Sequence, residues 1–146
     1  MKKTILFFAL VVSTFLFSQI KVDNSPNPIQ IGKITAGSIT LDKTGDKYTF
    51  CYNDAKFTKI DSFKCFSFIE TGSDLDNLYN IIMGGFETAP KENIKLDLPN
   101  DKVELHFEKM MGVVSMRFSQ LNKETGVYGY SGYMSKKQVN KLFGKK

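Results

Sequence analysis

The segment Val103–Leu121 constrains the fold more than any other stretch of this 146-residue chain. Apolar and polar side chains alternate on both sides of Gly112, the only glycine in the segment. A period of two is typical of β-strands with one buried and one exposed face. A short link around a glycine can reverse the chain. We therefore predict a long antiparallel hairpin in which Phe107 pairs with either Met116 or Val114, two registers that build the same apolar face.

A different hydrophobic pattern occurs N-terminal to the hairpin, between Leu75 and Phe86. Apolar residues there recur at intervals of three and four, which is typical of an amphipathic helix. Ser73 is a candidate N-cap, and Gly84-Gly85 predicts the end of the helix because adjacent glycines weaken a helical turn. We expect the apolar stripe of this helix to cover the buried face of the hairpin.

A second helix is predicted at the C-terminal end of the chain. Ser135 and Gln138 have the spacing of a capping box, and Gly144 is placed to end the helix. The intervals between the two helices and before the first one show alternating patterns bounded by turn residues, which predict strands. These strands are Ile31–Ile34, Ser38–Lys43, Lys47–Tyr52, Phe63–Glu70 and Ile94–Leu98, with Ala55–Ile60 as a candidate short strand and Val127–Tyr133 as a strand or loop.

The order of these elements predicts an α+β fold. We expect an antiparallel sheet of about six to seven strands, with one amphipathic helix inserted mid-chain and a short C-terminal helix. No alternation of single strands and helices occurs, so a parallel nucleotide-binding sheet is not expected. We recognise no family whose motifs match these residues.

The N-terminal region predicts export. Two lysines precede the apolar run Ile5–Phe17, which is too short for a membrane span of ~20 residues but typical of a signal peptide. We assign residues 1–18 to a secretory signal and residues 19–30, which contain two prolines, to an extended linker. Residues 31–146 then form a single domain that ends in a basic helix, located in the periplasm or secreted.

Positive charge is concentrated in this basic helix. The last eleven residues of the chain contain five lysines and no acid, whereas the rest of the predicted mature chain has a negative net charge. Because a nucleic-acid-binding domain usually carries its basic residues on the folded face, we do not expect a nucleic-acid partner. Two hypotheses for the helix are a solvated face and peripheral contact with an anionic membrane surface. The lysines proposed for such contact are Lys136, Lys137 and Lys141.

The two cysteines, Cys51 and Cys65, are candidates for a structural disulfide, since export favours oxidation. If Lys47–Tyr52 pairs antiparallel with the strand that follows, the cysteines face each other within bonding distance. If Ala55–Ile60 instead forms a strand between them, they lie too far apart to bond. Spacing alone leaves both arrangements open, and it gives no sign of redox catalysis.

A catalytic constellation is not evident in the sequence. His106 is the only histidine, and Glu104 and Glu108 share its strand face because they lie two residues to either side. This row is a weak metal candidate, since transition metals usually require more nitrogen or sulfur ligands. We favour a solvated face on which a glutamate pairs with Arg117 of the partner strand, and we assign no catalytic residue, metal or cofactor.

Three tyrosines near the C-terminal end provide a second candidate site. Tyr128 and Tyr130 share one strand face, and Tyr133 follows closely. Aromatic side chains between glycines can form a stacking surface for sugars, peptides or proteins. The alternative is that this face packs beneath the C-terminal helix, since aromatic residues often fill cores.

Two functions remain open at this point. We favour a small exported binding or accessory domain without enzymatic activity, whose partner is an unknown envelope protein or glycan. The alternative is a hydrolase or metal-assisted enzyme that uses His106 with a nearby glutamate. No ligand class follows from the sequence.

Overall fold

The computed structural model of the protein describes residues 26–36, 38–57 and 59–145. The predicted signal segment 1–18 and most of the predicted linker lie outside these residues. The described chain forms an α+β fold, as predicted, with two helices and two antiparallel sheets. The expected number of strands is too low, because nine strands form and they are divided between two sheets rather than one.

The first sheet contains four strands in chain order: β1 (Ile29–Ile34), β2 (Ile39–Thr44), β3 (Lys47–Asn53) and β4 (Phe63–Ile69). Strand β1 begins two residues before the predicted start. Cys51 lies opposite Cys65 with their Cα atoms 4.1 Å apart, and the predicted disulfide joins them. On the other face of the same pair of strands, the stacked rings of Phe50 and Phe66 have centroids 5.1 Å apart.

The prediction of a strand at Ala55–Ile60 is wrong for its described residues, which form turns and bends. Asp54 provides the reason, because it bonds the backbone that follows it. Its carboxylate accepts from the Lys56 amide at 3.1 Å, and its carbonyl accepts from the Phe57 amide at 3.0 Å. This turn leads the chain directly into β4, so β3 and β4 become neighbours and the disulfide can form.

The second sheet contains β5 (Ile94–Asp97), β6 (Asp101–Met110), β7 (Val113–Asn122) and β8 (Tyr128–Tyr130), and β9 (Met134–Ser135) also pairs with β7. Strands β6 and β7 are the predicted hairpin, in the register that pairs Phe107 with Met116. Its two-residue turn is Met111–Gly112, with φ angles of 50° and 83°. Two consecutive positive φ angles are the conformation that joins twisted antiparallel strands most directly.

Helix α1 (Asp74–Thr88) covers the inner face of the second sheet, as predicted. Ser73 is the N-cap residue, as predicted, but its side chain makes no capping hydrogen bond; instead, the Asp74 carboxylate accepts from the Thr71 amide and hydroxyl, both at 2.9 Å. The predicted end at Gly84-Gly85 is also wrong. A Cβ atom at Gly85 would collide with the Phe107 ring, so this glycine permits close packing of the helix on the sheet.

Helix α2 (Lys136–Leu142) begins with the predicted capping box. Gln138 N donates to the Ser135 hydroxyl at 3.3 Å, and Ser135 N donates to the Gln138 side chain at 2.8 Å. The helix packs mainly against β1, β2 and β9. The Phe143 side chain that follows it is buried beside Phe50, with ring centroids 5.6 Å apart.

The hydrophobic core lies between the inner faces of the two sheets and is closed by the two helices. Phe50 is at its centre, since its ring also contacts that of Phe118 in the second sheet, with centroids 5.5 Å apart. Burial of such aromatic side chains supplies the main stabilisation of the fold.

Four polar side chains form a hydrogen-bonded cluster that bridges the two sheets. We call this cluster the inner network: Tyr52, Asp101, Gln120 and Asn122. The Tyr52 hydroxyl donates to Gln120 Oε1 at 2.9 Å. Gln120 Nε2 donates to the Asp101 carboxylate at 2.8 Å and to the carbonyl of Cys65 at 2.9 Å. Asn122 donates to the same carboxylate at 3.1 Å. Buried polar groups are tolerated when they are paired in this way.

Candidate functional site

Five planar side chains form a continuous row on the outer face of the second sheet, opposite to the core. We call them the planar stripe: Tyr128, Tyr130, Arg117, Tyr133 and His106. The ring centroids of Tyr128 and Tyr130 are 6.3 Å apart, and those of Tyr133 and His106 are 6.1 Å apart. Between these pairs, the Arg117 guanidinium carbon lies 4.7 Å from the Tyr130 centroid and 5.0 Å from the Tyr133 centroid.

Strand pairing explains why these residues meet. Arg117 lies opposite His106 in the hairpin, and its neighbour on the same face of β7, Ser119, lies opposite Tyr130 of β8. Tyr133 follows β8 and directly precedes β9, which pairs with β7 at Ser115 and Met116. Residues that are distant in the sequence are thus aligned by their common neighbour, β7.

The guanidinium carbon of Arg117 lies within about 5 Å of the centroids of two tyrosine rings, a distance at which cation–π attraction is favourable. The expected pairing of Arg117 with a glutamate is wrong, since none of the ion pairs in the described part of the chain involves this arginine. Its Nε atom is buried and has no hydrogen-bond partner among the described residues. The described residues therefore leave part of the donor capacity of this partly exposed arginine unused.

His106 and Glu104 are both held by Asn93, a residue that the sequence analysis did not identify. His106 Nδ1 lies 2.8 Å from Asn93 Oδ1, and Asn93 Nδ2 donates to a Glu104 carboxylate oxygen, also at 2.8 Å. Because the amide oxygen can only accept, this network assigns a proton to His106 Nδ1. No sequence motif could have indicated the contact, since it depends on how the chain enters β5.

The row of Glu104, His106 and Glu108 was the weak metal candidate. Among the residues that the structure describes, no group of three or more histidine, cysteine, aspartate or glutamate side chains is arranged to hold a metal ion. Glu108 instead lies near Tyr133. Burial raises the pKa of the Tyr133 hydroxyl, and the Glu108 carboxylate raises it further, although Arg117 acts in the opposite direction.

The predicted tyrosine surface is exposed rather than covered. Tyr128 and Tyr133 are 51% and 42% exposed, respectively, and Tyr130 is partly buried. The alternative in which the C-terminal helix covers these rings is wrong, because α2 packs against the opposite sheet and β9.

The three predicted lysines do not join the tyrosines. Lys136 pairs with Glu87 of α1 at 3.7 Å, whereas Lys137 and Lys141 are exposed on α2 beside a separate shallow pocket. Within the described chain, no hydrogen bond or ion pair connects these lysines to the planar stripe. The structure thus divides the predicted binding residues into two groups.

A groove of about 420 Å³ lies elsewhere, between α1 and the edge strands β4 and β5 of the two sheets. Apolar side chains, including Phe66, Leu78 and Leu96, dominate its lining. Asp97 at its rim is paired with Lys123 at 2.7 Å, which lowers the pKa of the Asp97 carboxyl. The polar residues of the lining are Asp74, Asn77, Lys95 and Asp97.

Comparison with known proteins gave no match to a protein-family model, to a curated protein or to a solved structure.

Proposed function

We propose that the protein is an exported binding domain without enzymatic activity and that its ligand occupies the planar stripe. The observation that carries this proposal is Arg117, which lies beside Tyr130 and Tyr133 and has no acidic partner in the part of the chain that the structure describes. A cation fixed in this way loses little additional side-chain entropy when a ligand binds. The exposed rings on either side provide contact area with few rotatable bonds.

Export is supported by the disulfide, which persists mainly in oxidising compartments such as the periplasm and the extracellular space. No helix in the described part of the chain is long and apolar enough to cross a membrane. Both findings are compatible with a periplasmic or secreted protein. The proposed partner is an envelope glycan or protein.

The hydrolase alternative receives no specific support from the geometry. A nucleophile should lie within hydrogen-bond reach of its base. The one hydrogen bond that the His106 ring makes with the described residues is donated by Nδ1 to the Asn93 amide oxygen. Among these residues, no hydroxyl or thiol is hydrogen-bonded to the imidazole.

The test is a binding screen with Tyr133→Ala as the site variant. Purified protein is titrated by calorimetry with neutral polysaccharides, acidic polysaccharides, peptidoglycan fragments and peptides. We expect a ligand from this panel to bind the parent protein and to lose most of its affinity for the variant, since an exposed aromatic anchor is removed.

The matched control is Ile29→Ala. Ile29 is 66% exposed on β1, the edge strand of the first sheet farthest from β4, so its removal deletes an accessible apolar side chain outside the planar stripe. Affinity should be unchanged in this variant. A ligand that binds both variants as tightly as the parent protein would place the site elsewhere, and a panel without any binding would contradict the proposal.

A further inference from the structure

The chemistry of Arg117 restricts the ligand that can bind beside it. The rings of Tyr130 and Tyr133 lie close to the guanidinium, with their centroids 4.7 and 5.0 Å from its carbon. Arginine has five N–H donors and no acceptor, and a carboxylate matches its planar fork with two parallel hydrogen bonds. No carboxylate of the described residues takes this position. The site is therefore complementary to a carboxylate supplied from outside.

The rings that flank this arginine restrict the ligand further. Tyr128 and Tyr133 expose rings with an apolar face and a polar hydroxyl at the tip. A sugar ring also combines a flat face of C–H groups with hydroxyls at its edge. It can stack on such a ring while its hydroxyls stay in contact with water. This match favours a carbohydrate over a purely apolar ligand.

The position of the stripe argues against an extended peptide. The row crosses β8, β7 and β6 on the face of the sheet, where backbone groups are already paired between strands. Peptides that bind to sheets usually add a strand at an open edge, which satisfies their own N–H and C=O groups. A peptide lying across this face would gain no such ladder.

Nearby acidic residues limit the charge density of the ligand. Glu104 and Glu108 share the outer face with Arg117, and Glu108 lies close to Tyr133. Like charges repel, so a ligand with densely spaced negative charges, such as polyphosphate, is disfavoured. A chain in which sugar rings separate the charges can place one carboxylate at Arg117 and keep the others away from these glutamates.

From these observations we infer that the planar stripe binds a polysaccharide built from carboxylate-bearing sugars, with one carboxylate paired to Arg117. This inference rests on the proposed function, because it names the ligand class of the same site. The aromatic rings provide the stacking surface, and Arg117 distinguishes the acidic polymer from its neutral counterparts.

The experiment compares three probes by calorimetry at constant ionic strength: polygalacturonate, its fully methyl-esterified form and poly-L-glutamate. Polygalacturonate should bind at least about tenfold more tightly than either of the others, since only it offers both a sugar ring and a carboxylate. Arg117→Gln should lose at least about tenfold in affinity for polygalacturonate. Thermal unfolding of each variant confirms that it is folded.

Two further variants separate geometry from net charge. Arg117→Lys keeps the charge but loses the planar fork, so its affinity should fall between those of the parent and Arg117→Gln. Lys47→Gln removes one exposed positive charge from the first sheet and should change affinity by less than about twofold. Equal losses for Lys47→Gln and Arg117→Gln would overturn the inference in favour of unspecific charge attraction.

The remaining outcomes distinguish the inference from the proposed function. Equal binding of polygalacturonate and its ester, abolished by Tyr133→Ala, would leave the binding site in place and refute the role of the carboxylate. Equal or tighter binding of poly-L-glutamate would refute the carbohydrate. If polygalacturonate and the neutral polysaccharides all fail to bind, the inference is refuted. The proposed function survives in that case only if another ligand depends on Tyr133.

Discussion

Gln120 and Arg117 lie three residues apart on strand β7 and point to opposite faces of the second sheet. On the inner face, the Gln120 amide bonds Tyr52, Asp101 and the carbonyl of Cys65, and it thereby joins the two sheets. On the outer face, Arg117 is positioned by two aromatic rings but has no acidic partner among the described residues. The Gln120 amide is thus hydrogen-bonded inside the protein, whereas the charge of Arg117 on the outer face is not paired with an acid of the described residues.

Asp54 also has a polar atom without a hydrogen-bond partner among the described residues, but, unlike Arg117, it is enclosed by the fold. One oxygen of its carboxylate accepts from the amides of Lys56 and Tyr130, at 3.1 and 3.3 Å. The other has no hydrogen-bond partner among the residues that the structure describes, but it lies 3.6 Å from the Lys64 ammonium. With 1% of its surface exposed, Asp54 is closed off by the fold and links β8 to the first sheet. Its role is structural, whereas Arg117 faces a ligand-accessible row of rings.

The largest expected effect on stability comes from replacing Gln120, which lies on the inner face of β7. Gln120→Ala leaves the Tyr52 hydroxyl, the Cys65 carbonyl and part of the Asp101 carboxylate without partners in a buried environment. We expect the free energy of unfolding to fall by about 4 kcal/mol, as measured by urea denaturation. Arg117→Ala serves as the comparison on the same strand and should cost about 1 kcal/mol or less.

Similar losses for these two variants would contradict the division of β7 into a structural face and a binding face. Ligand affinity should show the reverse order. Arg117→Ala should abolish the preference for an acidic ligand, whereas a folded Gln120 variant should retain it.

The next largest effect should come from the disulfide, which holds the strand that contributes the Cys65 carbonyl to the inner network. Replacing both Cys51 and Cys65 by alanine removes a cross-link between residues 14 positions apart. In the chain-entropy model this costs at most about 3 kcal/mol, and urea denaturation of the double variant measures it.

Ligand affinity provides the contrast, because the disulfide lies on the first sheet and the planar stripe on the second. Binding should be retained under conditions in which the double variant is folded. A double variant that is as stable as the parent would show that the cross-link does not support the inner network. A folded variant that has lost binding would show that the two faces are coupled.

The smallest expected effect depends on pH. Burial raises the pKa of the Tyr52 hydroxyl above its ordinary value of 10.0, and the carboxylates of Asp54 and Asp101 raise it further. Above pH 10 the native protein therefore retains a proton that the unfolded chain releases, so this residue contributes stability that decreases as pH rises. Tyr52→Phe removes this dependence and also leaves Gln120 Oε1 without its donor.

At pH 7, Tyr52→Phe should therefore be less stable than the parent by about 2 kcal/mol. The difference should shrink as the pH is raised from 9 to 11. Urea denaturation of both proteins at each pH measures this, and titrations that are common to the two proteins cancel in the comparison. A difference that stays constant with pH would show that the Tyr52 hydroxyl titrates normally in the folded protein.

The sequence specified those features that depend on neighbouring residues or on one alternating pattern. It predicted the hairpin, the α+β class and the capping box at Ser135, because side-chain periodicity and backbone capping are local. It also predicted the pairing that brings Cys51 to Cys65, although Ala55–Ile60 left an alternative open. The Asp54 turn, which involves both side-chain and backbone bonds, decided between the two.

The errors occurred where tertiary contacts override local preference. Gly84-Gly85 resembles a helix end by propensity, yet α1 continues to Thr88 because Gly85 lets the helix approach Phe107. Periodicity likewise could not predict that the strands divide into two sheets. A strand pattern indicates which face is buried but not which strand lies next to it.

The candidate site shows the same limit most clearly. The sequence indicated His106 and the tyrosines as separate features and expected a glutamate to pair with Arg117. Only the folded sheet aligns β6, β7 and β8, brings Tyr133 to the guanidinium and places Asn93 between His106 and Glu104. Local patterns fix the direction in which each side chain points. The site, however, depends on distances between strands, and these are set by long-range pairing and packing.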